Sequence, residues 1–265
     1  MNPPEPVGTP ADGPVRLEIE EHGALWRVTL ATPKANIIDS EKISRLSSIF
    51  EAARSAAGLK AIVLEGEGHH FSFGASVEEH LPGAFERMIP AFGGMFRQMF
   101  DCSVVTLAAI RGQCLGGGLE LACVCHRLFA APDARLGQPE IVLGVFAPIA
   151  SVLLAGRVGR GPAEDLCLSG RTISAAEALR IGLVDEVVED PGAAALAYAR
   201  EHLLPRSASS LRLAARAVRG PFARAFEDDL ARAERLYLTE LMATHDAREG
   251  LTAFLEKRQP IWRNA

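Results

Sequence analysis

Three consecutive glycines, Gly116-Gly117-Gly118, stand between the apolar run VVTLAAI (104–110) and the segment LELACVC (119–125). A buried strand has to end here and a helix has to begin within a few residues, and glycine allows so tight a turn. The first N–H groups of such a helix have no intrahelical partner. Glu120 falls in its first turn, among apolar residues, and Glu140 follows in the polar knot GQPE. Two acids therefore occur in segments that otherwise read as buried.

The flanking sequence repeats the strand-to-helix pattern. VRLEIEEHG and ALWRVTLA alternate apolar and polar residues and predict two paired strands. DSEKISRLSSIFEAARSA places Ile43, Leu46, Ile49 and Phe50 at helical spacing behind a cap at Asp39 or Ser40. KAIVLEGEG predicts a strand, FSFGAS a further strand ending in a turn at Gly74, and residues 83–100 a helix despite Gly93 and Gly94. RLFAAPDA and VDEVVED predict more strands, with helical AEDLCLS and SAAEALRIG between them. Residues 15–190 thus predict an α/β core with short parallel strands. From 191 to 265 the strand signals stop. PGAAALAYAREHLL, SASSLRLAARAVRG, FARAFEDDLARAERLYLTELMAT and HDAREGLTAFLEKR predict a helical domain that packs on the core or on a neighbouring subunit.

Composition narrows the function. With 48% hydrophobic residues the 265-residue chain can bury a sizeable core. A net charge of −5 and a pI near 5.8 give no electrostatic case for a nucleic-acid partner. No apolar run approaches the roughly 20 residues of a membrane helix. The opening MNPPEPVGTPADGP (1–14) reads as a disordered tail, lacking the basic start and apolar stretch of a signal peptide. Reduced thiols in a cytoplasm are expected. The run Cys123-Val124-Cys125-His126 invites a zinc reading, but no second ligand pair accompanies it, so apolar filling of a buried helix is expected and no metal.

The glycines fit no nucleotide motif. A P-loop requires Gly-Lys-Ser/Thr, and a dinucleotide fingerprint requires GxGxxG after the first strand. The remaining reading is an anion site. N–H groups at the helix start, with a second exposed N–H from the turn at Gly74, can hold an oxyanion developing on a thioester carbonyl, worth a few kcal/mol in the transition state. Glu120 alone could be a helix-capping acid and Glu140 alone a turn residue. Together beside an oxyanion site they are equipment for moving a proton while handling water.

RGQCLGGGLELA, FSFGAS, LGQPEIVLGVFAP and LSGRTISAAEALRIGLVDEVV resemble, in order and spacing, the crotonase (enoyl-CoA hydratase/isomerase) superfamily, and the likeness runs from about residue 15 to AFLEKRQPIW. The resemblance implies a crotonase-like ββα spiral core with a C-terminal helical domain, assembled as a homotrimer or a dimer of trimers. It implies a CoA thioester substrate, with no cofactor beyond the CoA the substrate carries, and a carbonyl held between the N–H groups of Ala75 and Gly117. Glu120 matches the acid that activates water, and Glu140 the acid that exchanges a proton with substrate carbon. Lys34, Ala35, Gly74, Ser76, Gly116 and Lys257 match positions near CoA, with Arg258 beside the last.

Two departures concern the acyl group. Hydratases of linear enoyl-CoAs usually carry Asp where this chain has Ser76, and often Gly-Gly where it runs Phe146-Ala147-Pro148-Ile149-Ala150-Ser151. The combinations PKANIID, FSFGASVEEHLP, RGQCLGGGLE and GQPEIVLGVFAP are most similar to family members that hydrate a cyclic dienoyl-CoA of anaerobic aromatic breakdown. Phe92, Phe96, Phe146 and Pro148 are the acyl-pocket candidates, although Phe92 and Phe96, with Met99 and Phe100, recur at helical spacing and could simply be core. His69 and His70 read as surface, and His80 as a loop or helix-start residue. A hydratase of linear or other cyclic acyl chains, an isomerase for which Glu120 would be surplus, and a non-catalytic or RNA-binding relative are the alternatives.

Overall fold

The structure, a computed structural model, describes residues 13–265. The expected tail over 1–14 lies, except for its last two residues, outside the described residues. The chain opens with β1 (Val15–Glu20) and β2 (Leu25–Leu30), the antiparallel pair that the alternation predicts. Then comes α1 (Ser40–Ser55), which the Asp39 side chain caps by accepting from the Lys42 N–H at 2.9 Å. Its spaced apolar residues Ile43, Leu46, Ile49 and Phe50 are buried. Next follow β3 (Ala61–Gly66), α2 (Phe85–Asp101), β4 (Val105–Ile110), β5 (Gln113–Leu115) and α3 (Gly117–Cys123). A second round gives β6 (Arg127–Ala130), β7 (Arg135–Gly137), a 3-10 turn Pro139–Leu143 and α4 (Pro148–Val158). The remainder is α5 (Arg160–Ser169), β8 (Thr172–Ser174), α6 (Ala175–Arg180), β9 (Glu186–Val187), α7 (Pro191–Tyr198), α8 (Ala208–Thr239) and α9 (His245–Leu255).

Two stacked ladders organise these elements. The larger sheet has the order β1-β2-β3-β4-β6-β9, parallel from β2 onward. The smaller has the order β5-β7-β8 and is extended by single parallel bridges, Ser72 to Cys114 and Ile38 to Ala75. The chain passes from the large sheet to the small ladder and then into a helix, as in β4-β5-α3 and β6-β7-α4. This is the expected ββα spiral.

Several local expectations need correction. FSFGAS is not a strand. It is an irregular segment pinned by backbone bonds from the Phe73 N–H to Ala35 O and from the Ile38 N–H to Gly74 O, each 2.9 Å. VDEVVED shortens to two paired residues. The two helices expected on either side of Gly220-Pro221 are one helix of 32 residues. Proline forfeits one N–H there, but Phe222 and Phe226 flank it and stack against Phe100 at 5.7 and 4.8 Å, so packing overrides the local break. His70 is not a free surface residue, because its Nδ1 accepts from the Gln113 N–H at 3.1 Å. The cysteines of CVCH lie in the apolar core, where burial pushes the Cys123 thiol up to about 12 and that of Cys125 to about 11.

The strands end beside residue 190, but packing does not divide there. Ala195, Ala199 and Leu203 form a buried cluster with Leu25, Val63, Leu107 and Phe129, covering the second face of the sheet. Beyond them α8 runs back across α2 and α4. Arg212 ties it down by donating to the carbonyls of Ala53, Ala56 and Cys102 at 2.9, 2.6 and 3.0 Å, at the C-terminal ends of α1 and α2. Arg212→Ala should lower the unfolding free energy by about 2–4 kcal/mol, since three partly buried acceptors lose a charged donor. Arg212→Lys should recover only part of this, because one ammonium cannot span them. Urea titration of the three proteins checks both.

Candidate active site

The glycine turn is where the two ladders meet α3. Gly116 has φ of +51° and its N–H donates to Gly137 O at 2.9 Å, which stitches the turn to the end of β7. Two residues further on, the chain reaches Pro139 and Glu140. A Cβ built on Gly116 would lie 2.6 Å from Glu140 Oε1. The absence of a side chain at Gly116 is thus what admits the second acid.

Gly117 faces the opposite wall. A Cβ there would meet the Ala75 nitrogen at 3.0 Å and Phe92 Cζ at 3.1 Å. The Ala75 segment is held by Gly74, at φ of +111°, whose N–H donates to Ser72 Oγ at 3.0 Å. Ser72 Oγ in turn donates to Asn36 O at 2.8 Å. Neither the Ala75 N–H nor the Gly117 N–H meets a protein acceptor among the described residues. Two unpaired amides on facing backbone are the donor pair that an oxyanion requires.

Glu120 is 3% exposed and its Oε1 accepts from the Ala150 N–H at 2.7 Å, in the first turn of α4. Pro148, buried at the first position of that helix, starts it where the N–H groups of Ile149 and Ala150 point at the acid. Burial raises the Glu120 pKa well above the ordinary glutamate value, and these two amides offset part of the rise. Burial also raises Glu140, and the neighbouring Glu120 charge raises it further. The acids therefore share protons as a pair. Glu120, supported by the helix, ionises first, and Glu140 keeps its proton longer.

Some expected residues converge here and others do not. Glu120, Glu140, Gly74, Ala75, Gly116 and Gly117 come together. Phe92 reaches the turn, but Phe96 is fully buried behind it, edge-on at 4.9 Å. Phe146 is half-buried after the Glu140 turn and packs edge-on against Tyr237 at 5.4 Å. Ser76 is 9% exposed and donates to Glu78 at 3.0 Å. His80 closes a short 3-10 turn, Glu78–His80, in keeping with a loop or helix-start residue. Its Nδ1 bonds Ser76 O at 2.7 Å, and burial lowers its pKa, so it braces the Ala75 arm as a neutral imidazole. Lys34 and Lys257 are exposed, and no hydrogen bond or ion pair joins either side chain to another site residue among those described. Arg258 is engaged by Glu249 and Glu256 at 2.6 Å each. A surface cavity of about 760 Å³ lined by Arg54, Phe100, His126, Arg216 and Arg219 contains neither acid.

Two residues of the site escaped the sequence reading. Gln138 is 1% exposed, and with its amide nitrogen turned toward Glu140 it donates to both carboxylate oxygens at 3.1 and 3.0 Å. Turned the other way, its oxygen can accept from the protonated acid, so one amide serves both states. Its signal was its place in GQPE. Tyr237 reaches the site from α8 with no motif around it.

The model of the enoyl-CoA hydratase/isomerase family matches residues 20–265. The chain is 52% identical over 254 residues, 96% of its length and 98% of the relative's, to the cyclohexa-1,5-dienecarbonyl-CoA hydratase of Thauera aromatica. It is 36% identical to a probable enoyl-CoA hydratase of Bacillus subtilis, covering 93% and 97% of the two chains. Among solved structures, DspI of Pseudomonas aeruginosa superposes with a TM-score of 0.76 at 31% identity over 98% of this chain and 100% of that one. An enoyl-CoA hydratase/isomerase from Mycobacterium paratuberculosis shares the fold, with a TM-score of 0.84 at 24% identity over 91% and 98%. The unpaired amides, the acid pair and the spiral that joins them are thus those of a chain that belongs to the enoyl-CoA hydratase/isomerase family.

Proposed function

We propose that this protein is a hydro-lyase that adds water to cyclohexa-1,5-diene-1-carbonyl-CoA, giving 6-hydroxycyclohex-1-ene-1-carbonyl-CoA. The observation that carries the hydratase reading is the pair of enclosed carboxylates beside two unpaired backbone amides. The ring diene as acyl group rests on the 52% likeness to the Thauera enzyme, with Ser76 and Phe146 as the local departures. Coenzyme A enters as part of the substrate, and the reaction needs no further cofactor. We take the working form to be a homotrimer or a dimer of trimers. The described residues contain no helix long and apolar enough to cross a membrane, and five free cysteines suit a cytoplasmic location.

The thioester oxygen accepts from the Ala75 and Gly117 N–H groups. Glu120, the acid that ionises first, takes a proton from water as the oxygen attacks the ring carbon β to the thioester. Charge flows to the thioester oxygen, where the two amides hold it. Because the second double bond is conjugated with this enolate, negative charge also reaches its far ring carbon. Glu140, still protonated, delivers its proton there, and the remaining double bond shifts into conjugation. Water is added, nothing is oxidised, and one proton has passed from Glu140 to Glu120. Returning it through the coupled pair resets the site.

Hydration of linear enoyl-CoAs is the second reading, favoured by relatives such as the Bacillus subtilis protein. Mass-resolved turnover of the ring diene thioester and of crotonyl-CoA separates the two. A higher kcat/KM on the ring diene, with a product 18 mass units heavier, supports the first reading, and the opposite preference discards it. Glu120→Gln and Glu140→Gln should each lower kcat by about 10²–10⁴-fold with thioester binding retained. Near-normal hydration by Glu120→Gln would end its assignment as the base.

The acid pair also predicts a stability profile. Near pH 3 both acids are protonated in the folded and unfolded chains alike. As pH rises, the unfolded chain releases protons that the folded chain retains, so the pair lowers stability progressively toward neutral pH. The double variant Glu120→Gln/Glu140→Gln should therefore match the wild type near pH 3 and melt increasingly above it from about pH 4 toward pH 8. A melting difference that does not vary with pH would show that the pair does not titrate as described.

A further inference from the structure

The side chain of Tyr237 is completely buried, yet its hydroxyl has no hydrogen-bond partner among the described residues. Leaving such a group unpaired costs about 1–3 kcal/mol, so its position calls for an explanation. The ring lies edge-on between Phe146 at 5.4 Å and His80 at 6.2 Å. Phe146 follows the turn that carries Glu140, and His80 braces the arm that carries Ala75. The phenol therefore stands between the two walls of the site. Burial, and the charge of each nearby acid when it is ionised, hold its pKa above the ordinary tyrosine value, which keeps the hydroxyl a donor.

A cyclic hydrocarbon acyl group offers few atoms to such a donor. The thioester oxygen already has the Ala75 and Gly117 amides, and the ring carries no heteroatom. The one other polar atom in the reaction is the oxygen of the water, which becomes the hydroxyl of the product. Resting on the hydratase reading above, we propose that Tyr237 is a further substrate-contacting residue whose phenol donates a hydrogen bond to the oxygen that is added to the acyl group. The count is complete for a water molecule. One hydrogen goes to Glu120, the other stays on the oxygen as the hydroxyl of the product, one lone pair accepts from Tyr237, and the other lone pair faces the ring carbon. No atom of the described residues competes for the phenol, so it can hold that oxygen at one point.

The test is Tyr237→Phe, which removes one oxygen and keeps the packing. Hydration of the ring diene thioester should lose about 10- to 100-fold in kcat, the effect of one neutral hydrogen bond in the transition state, with KM little changed. Binding provides an independent readout. The hydroxylated product thioester should bind the variant several-fold to tenfold more weakly, while cyclohexanecarbonyl-CoA, which lacks the hydroxyl, should bind both proteins alike. The melting temperature should be unchanged or higher, because an unpaired hydroxyl has gone. Equal weakening of both ligands would make Tyr237 a packing residue and overturn the proposal. So would unaltered turnover and binding, with wild-type hydration intact. A wild-type protein inactive on both the ring diene thioester and crotonyl-CoA would instead overturn the hydratase reading itself, and the proposal with it.

Discussion

The site depends on keeping two carboxylates out of water beside a turn that has no side chains. Gly116 leaves the space into which the Glu140 carboxylate fits. The start of α4 supplies the amide that holds Glu120. An enclosed charge is expensive, and each acid meets that expense differently. Glu120 draws on the N-terminal amides of a helix, whereas Glu140 has the amide of Gln138 and otherwise retains a proton. Two chemically identical side chains thus sit in different surroundings, the kind of difference that separates a base from an acid.

The small ladder is the device that makes this arrangement possible. Residues 35–38, 71–76, 113–115 and 135–137 run side by side, joined by backbone bonds and two isolated bridges. Each strand end delivers one part of the site: the Ala75 amide, the Gly117 amide and the Glu140 turn. Main-chain pairing fixes these parts more rigidly than flexible side chains could. The helical region contributes from the other side, since α8 lies across α2 and α4 and brings Tyr237 against Phe146. The paired acids and unpaired amides thus come from the spiral, while Tyr237 reaches them from a helix far along the chain.

Much of this was legible in the sequence because the signals are local. A glycine run between an apolar strand and an acid-bearing helix allows few geometries, and four spaced motifs identify the spiral. The misreadings have a common cause. FSFGAS reads as a strand because it is apolar and extended, but it pairs through single bridges rather than a ladder. Gly220-Pro221 reads as a break, but the aromatic contacts of Phe222 and Phe226 with Phe100 carry the helix through. His70 reads as surface because nothing near it in sequence announces the Gln113 amide. Phe92 and Phe96 share one helical face, and only packing separates the residue at the site from the one behind it.

By itself the sequence determined the elements of the core, the family and the acids, because turn chemistry, hydrophobic period and motif spacing are written in neighbouring residues. It could not show that the two acids differ in surroundings, since that follows from the α4 amides aimed at Glu120 and the Gln138 amide beside Glu140. Nor could it single out Tyr237, one aromatic residue among many on a helix. Burial, hydrogen-bond satisfaction and the field at a titratable group depend on what surrounds it in space, and only the tertiary structure supplies those surroundings.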